Sequence, residues 1–256
     1  MPHISYSELK NWHHCPFYHK LVNIQKLKVF EGNEYTAFGT ALHSVCEDLL
    51  TDEVSIPKPE LFNQKFRDEI KKLKSEEINK KLIVDMFSQG GKLSEQVLPS
   101  LESYFDECEV FMAEEKLYEP ISGTDDYLFK GYVDLIIKEG DNYHIIDWKT
   151  CSWGWDSRKR SDKMILYQLV LYKHFFCQKY NISPDMVHTH FGLLKRTSKK
   201  NIVELFKVTS GPKRIENALE LLHKAIQTIK SGVHIKNKLS CTSGYGCDLY
   251  KTKHCN

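Results

Sequence analysis

Asp134, Asp147 and Lys149 are the residues of this chain whose types and spacing could do chemistry together. They lie in GYVDLIIKEGDNYHIIDWKT, residues 131–150, where Gly140-Asp141 reads as a two-residue hairpin turn between apolar runs. With the turn centred there, opposed residues have numbers that sum to 281, which sets Asp134 across from Asp147. Cross-strand neighbours hold their β-carbons about 4.5–5.5 Å apart. Side chains alternate along a strand, so Lys149 shares the face of Asp147, while Ile146 and Trp148 point to the other, core-facing side. Two facing carboxylates repel, and a divalent cation with a taste for hard oxygen ligands, magnesium or manganese, offsets that repulsion. A lysine beside them can polarise an attacking water and stabilise charge developing on a phosphate. This is the minimal apparatus for metal-assisted phosphodiester hydrolysis. The competing reading is a surface hairpin whose outer face carries two acids and a lysine.

Other residues could join this group. FGTALH, residues 38–43, puts Gly39 and His43 one helical turn apart, with His43 a nitrogen ligand or an ordinary hydrogen-bonded histidine. QLVLY, residues 168–172, puts Gln168 and Tyr172 on one helix face, either to orient a phosphate or to border a core. Glu115 could enter the acidic cluster, although Glu114 competes with it. Arg158, Lys159, Arg160 and Lys163, then Lys195, Arg196, Lys199 and Lys200, could grip phosphates, or line solvated loops. Trp153 and Trp155 could stack on unpaired bases or close the core.

Several elements must position these residues. Residues 5–14 read as a helix capped by Ser5 or Ser7 and ended by Cys15-Pro16, and residues 36–50 as a second helix. Residues 60–87 have helical spacing, with a break expected at Gly90-Gly91, and 94–114 read as a further helix that admits Pro99 near its first turn. Strands are expected over 116–121, 127–138, 142–150, 187–196 and 202–208, and helices over 161–180 and 211–231, the latter with Pro212 at its first position. The order points to an α/β domain with a mixed sheet flanked by helices: a helical part over 1–114, an α/β core over 115–232 and a cysteine-containing tail over 233–256, in one domain.

With 256 residues the chain can bury a substantial core, and its 41% hydrophobic and 27% charged content is that of a globular protein. A net charge of +2 gives no global pull on nucleic acid, so any DNA binding must use local basic patches. The N-terminal residues show no secretory pattern and no run is apolar enough to span a membrane, so the expectation is a cytoplasmic protein, in the host cytoplasm if viral, without membrane contact. In a reducing compartment the eight cysteines read as metal ligands or small buried hydrophobes, not disulfides.

The segments SYSELKNWHHCP, FGTALH, GYVDLI, IIDWKT and QLVLY, in this order over residues 5–172, resemble the PD-(D/E)xK nuclease superfamily, specifically its RecB-type exonuclease branch. The resemblance implies a restriction-endonuclease-like core that forms a single nuclease domain over residues 1–256. It implies His43, Asp134, Asp147 and the backbone carbonyl of Trp148 as ligands to Mg2+ or Mn2+, Lys149 as the catalytic lysine, and Gln168 and Tyr172 in support. Some members, CRISPR-associated and AddB-type nucleases among them, hold a [4Fe-4S] cluster on one early and three late cysteines. The matching positions here are Cys15, Cys241, Cys247 and Cys255, with zinc or no metal as alternatives. The function implied is a metal-dependent DNA exonuclease of recombination, repair or phage DNA processing, acting on single strands or ends beside a helicase or recombinase. A non-catalytic DNA-end binding module and a site-specific endonuclease are the alternatives. Phosphates would be held by Arg158, Lys159, Arg160, Lys195 and Arg196.

Overall fold

A computed structural model describes residues 1–51, 55–74, 78–124, 126–243 and 246–255. In chain order the main elements are β1 (His3–Ser5), α1 (Tyr6–His14), α2 (Pro16–His19), α3 (Glu34–Thr51), α4 (Lys58–Lys72) and α5 (Lys80–Tyr104). Then come β2 (Glu109–Pro120), β3 (Leu128–Glu139), β4 (Asn142–Cys151), α6 (Ser157–Arg160), α7 (Lys163–Tyr180), β5 (Val187–Lys195), β6 (Val203–Val208) and α8 (Pro212–Lys230). They form two compact units, one of Met1–Phe30, Tyr118–Gly131 and Pro212–Asn256, the other of Glu31–Leu117 and Tyr132–Gly211.

The second unit carries a mixed sheet flanked by helices, in the order β3-β4-β5-β6, and β2 also pairs with β3. β3 and β4 are antiparallel, with Glu139 opposite Asn142 and Leu135 opposite Ile146, the register expected from the turn. Gly140 has φ +57°, a left-handed conformation that glycine adopts at little steric cost. β4 and β5 are parallel from Tyr143↔Val187 to Cys151↔Lys195 and need a crossover, supplied by α6 and α7. Asp162 caps α7 by accepting from the N–H groups of Met164 and Ile165, and Asn181 closes it at φ +54°. Ile146 and Trp148 lie in a core with Phe38, Phe62, Phe66 and Val97 from α3, α4 and α5. By alternation Asp147 faces α7, where its hydrogen-bond partner sits.

Three expectations change here. Gly90-Gly91 does not break a helix but lies within α5, because a β-carbon at Gly90 would sit 2.1 Å from the Phe62 ring. Each glycine costs a helix roughly 1 kcal/mol, less than the ~1.5–3 kcal/mol of burying one phenylalanine fully. Pro99 falls well inside α5 instead of in a first turn, and residues 109–114 belong to β2, not to a helix. Of the helical stretch 60–87, residues 75–77 lie outside the described residues.

The first unit joins α1, α2 and α8 to a parallel pairing of β1 with the first residues of β3, His3 opposite Leu128. Ser5 caps α1 in a full capping box: its hydroxyl accepts from the Glu8 N–H (3.2 Å) and its own N–H donates to Glu8 Oε2 (3.1 Å). The C-terminal tail docks on the α1–α2 junction. There the Phe17 N–H donates to the Ile235 carbonyl (3.3 Å), and the Asn237 side-chain amide to the His14 carbonyl (2.9 Å).

Candidate active site

Asp147 is 1% exposed, within the buried run His144–Trp148 of β4. Its Oδ2 lies 2.7 Å from Lys149 Nζ, and its Oδ1 accepts from Gln168 Nε2 at 2.7 Å. Gln168 Nε2 also donates to the Tyr172 hydroxyl (3.2 Å), so the two α7 residues reach the carboxylate as a pair one helical turn apart. Burial pushes the Asp147 carboxyl up to about 6; Lys149 pulls it down and the charge of Asp134 pushes it up further. Burial likewise raises the Tyr172 phenol, which therefore stays protonated.

Asp134 precedes the last paired position of the β3–β4 ladder, Leu135↔Ile146. Its Oδ2 accepts from the backbone N–H of Trp148 at 2.7 Å, bringing the carboxylate against the backbone between Asp147 and Lys149. His43, on α3, places Nδ1 3.6 Å from the same oxygen. Burial alone would lower the pKa of His43, but contact with Asp134 and the charges of both carboxylates raise it overall. The Trp148 indole is held by its parallel-strand partner: a β-carbon at Gly192 would lie 2.2 Å from that ring. This close approach fixes the backbone that carries Asp147 and Lys149.

A cleft of 660 Å³ borders the centre, lined by Gly39, Thr40, His43, Glu47, Glu114 and Thr150. The doublet Glu114-Glu115 is resolved by geometry. Glu115 pairs with Lys179 and accepts from the Tyr180 hydroxyl (2.8 Å), whereas Glu114 faces the cleft. Burial, then the charges of Asp134 and Glu47, raise the Glu114 carboxyl. Glu114 has φ +49°, a left-handed conformation costing roughly 1–2 kcal/mol in a non-glycine residue. It interrupts strand alternation, so the sequence could not tell which glutamate turns inward.

The donor set suits a hard divalent cation: two carboxylates and an imidazole, with the Trp148 carbonyl next in the chain. The like charges of Asp134 and Asp147 are what such an ion offsets. As placed, no three His, Cys, Asp or Glu side chains among the described residues close on one ion position. Lys149 occupies one oxygen of Asp147, so ion binding there requires Lys149 and the ion to share the carboxylate.

The basic residues divide. Arg160 and Lys195 both bind Glu204, at 2.7 and 3.1 Å, and Lys195 is buried. Lys159 lies over the Trp155 ring and Arg158 is exposed. Arg196 stacks on Tyr35 and donates to Gln89 Oε1 at 2.7 Å. In the first unit, Cys15, Cys241, Cys247 and Cys255 all line one cavity of 390 Å³, with Cys15 Sγ accepting from the Asn237 N–H at 3.3 Å. Burial and the other three thiols raise the Cys241 thiol.

A second buried polar group lies on β4 and β5. His144 Nδ1 is 3.0 Å from His190 Nε2, His144 Nε2 is 3.3 Å from Glu139 Oε2, and the Tyr104 hydroxyl is 3.2 Å from His190 Nδ1. Burial lowers both imidazoles, His190 to about 3.

A family model described as the PD-(D/E)XK nuclease superfamily matches residues 3–250. Among solved structures, a protein from Eubacterium rectale provisionally described as an exonuclease superposes with a TM-score of 0.60 at 12% identity, over 93% of this chain and 85% of that one. At that identity the likeness speaks to fold. No curated protein matches.

Proposed function

Because the chain belongs to the PD-(D/E)XK nuclease superfamily, we propose that it is a divalent-metal-dependent deoxyribonuclease that removes nucleotides from DNA ends or single strands. The observation that carries this reading is Asp147: a buried carboxylate beside a second carboxylate, held by Lys149 and Gln168. His43, Asp134, Asp147 and the Trp148 carbonyl would hold magnesium or manganese. Such an ion, when bound, activates water and neutralises charge on the scissile phosphate. Lys149, 2.7 Å from Asp147, would put a positive charge beside that ion, to polarise the water and stabilise charge on the phosphate. Gln168 fixes the rotamer of Asp147, and the protonated Tyr172 hydroxyl holds Gln168. Glu114 adds a third carboxylate to the cleft wall.

The exonuclease assignment draws on the provisional description of the Eubacterium rectale protein and on the RecB-type order of motifs. A role in recombination, repair or phage DNA processing, beside a helicase or recombinase, is the context that suits it. Arg158, Lys159 and Arg196 would meet phosphates; Arg160 and Lys195 would have to share Glu204 with them. No described helix is long and apolar enough to cross a membrane.

Cys15, Cys241, Cys247 and Cys255 would hold a [4Fe-4S] cluster. What supports this is that all four line one cavity; a zinc ion is the alternative the same thiolates would accept. Anaerobic purification with iron, sulfide and zinc analysis tests this; one equivalent of zinc without iron would replace the cluster.

The decisive experiment incubates the protein with end-labelled single- and double-stranded DNA in magnesium, manganese or chelator, beside Asp147→Ala and Lys149→Ala. Metal-dependent loss of the label, absent in both variants, supports the reading, and the label position gives polarity. Both variants cutting like wild type would overturn the assignment of the site.

A further inference from the structure

We propose that Trp153 is a stacking platform for an unpaired base of the DNA strand entering the cleft, an inference that rests on DNA being the substrate. Trp153 is 76% exposed, whereas Trp148 and Trp155 are buried. A tryptophan buries about 150–250 Å² when it packs, so leaving one in water forfeits a large stabilisation.

The backbone around it is pinned. The Arg196 N–H donates to the Cys151 carbonyl (2.8 Å). The Ser152 carbonyl accepts from both the N–H (3.0 Å) and the hydroxyl (2.8 Å) of Thr197. Gly154 has φ +125°, and a β-carbon there would lie 3.2 Å from Lys195 Cδ. Trp155 packs edge-on against Phe191, and Asp156 caps α6. Every neighbour of Trp153 is fixed while its own ring is displayed. A side chain presented from a rigid turn loses little entropy on binding.

The surroundings select the occupant. In sequence Trp153 stands between Ser152 and Gly154 and is followed by Asp156, Ser157, Arg158 and Lys159, and the next ring along the chain, Trp155, is buried. An exposed indole shortly before two cations suits a base flanked by phosphates better than it suits an apolar protein surface. Position agrees. Thr150 lines the cleft, and Trp153 follows three residues later, so their Cα atoms are at most about 11 Å apart, one to about three nucleotides of strand. Tyr35, which lines the cleft, carries Arg196 stacked on its ring, and the Arg196 N–H bonds the Cys151 carbonyl two residues before Trp153, so an aromatic–cation pair links the cleft to this turn.

The test measures equilibrium binding in calcium, in an Asp147→Asn background that prevents cutting. The probes are a single-stranded oligonucleotide and a blunt duplex of the same sequence. We expect Trp153→Ala to weaken single-strand binding about 5- to 150-fold, Trp153→Phe to recover most of it, and duplex binding to change less than about threefold. Indole emission, quenched by the single strand, should lose that quenching in Trp153→Phe. An unchanged affinity, or equal losses on single strand and duplex, overturns the proposal, and so does quenching that persists without Trp153. The outcomes separate from those for the nuclease reading. A chain that cuts normally but binds without regard to Trp153 defeats this inference alone. A chain that binds through Trp153 but never cuts defeats the nuclease reading alone. A wild-type chain that binds no DNA defeats both.

Discussion

The acidic centre and the histidine chain lie on the same strand, three residues apart at Asp147 and His144, and both are buried. They differ in charge balance and access. Three of the four histidine nitrogens in the group Glu139–His144–His190–Tyr104 are hydrogen-bonded, the fourth, His144 Nε2, lies 3.3 Å from Glu139 Oε2, and as neutral rings His144 and His190 place no like charges together. Phe105 closes over both rings. At the acidic centre, two carboxylates face each other with Lys149 on one of them, and a cleft opens beside them. Burial of titratable groups therefore does not mark a site. Unbalanced like charge with an open route to it does, because only that arrangement has something to gain from an added cation.

The most severe way to break this comparison is catalytic. Asp147→Ala and Lys149→Ala should each lower DNA hydrolysis at least about 10³-fold, while His190→Phe should leave the rate within about threefold in the same end-label assay. A large loss in His190→Phe would make the histidine chain part of the machinery. Next, millimolar magnesium should raise the melting temperature of wild type by several degrees and leave Asp147→Asn unmoved, read by calorimetry. The third prediction concerns Glu114. Glu114→Gln should slow hydrolysis on the order of tenfold, and Glu115→Gln, whose carboxylate meets Lys179 and Tyr180, should not.

The smallest effects are the stability profiles of the metal-free protein, and their signs are opposite. His190 has a folded pKa of about 3 against 6.5. Its contribution is fully present above about 6.5 and is lost as pH falls below that, by up to about 1.4 kcal/mol per pH unit. His190→Phe should flatten that acid limb. Asp147 is raised from 3.8 to about 6. Its protonated form is favoured in the fold, so stability is lost as pH rises from about 4 through 6, and Asp147→Asn should remove that loss. Urea titrations at pH 4, 5, 6 and 7 resolve both limbs.

Much of the centre was legible because local rules act on it directly. Gly140-Asp141 fixes the hairpin register, and with it Asp134 and Asp147; helical spacing sets Gln168 and Tyr172 on one side of α7. What was illegible depends on contacts distant in sequence. Nothing near Gly90 announces Phe62, and nothing near Glu114 announces its left-handed backbone. Trp153 and Trp155 have the same composition around them, yet only Trp155 meets Phe191 and Phe206. The meeting of Cys241, Cys247 and Cys255 with Cys15 on one cavity was legible only through the family resemblance, since their irregular spacing does not announce it by itself.

That convergence has a consequence for the order in which the molecule is made. The unit holding the four thiols is assembled from three separated stretches of chain, with Glu31–Leu117 and Tyr132–Gly211 synthesised in between. At about 5–20 residues per second, Cys15 leaves the ribosome roughly 10–45 s before Cys241 does. For the last 30 residues of that interval, from Gly211 to Cys241 and so roughly 1.5–6 s, the other unit has its complete sequence and can fold, while Cys15 still lacks the tail that covers it and the Asn237 N–H that bonds its sulfur. A newly made chain thus passes through a stage with its acidic centre formed and its thiol cavity open, and the residues after Gly211 end that stage.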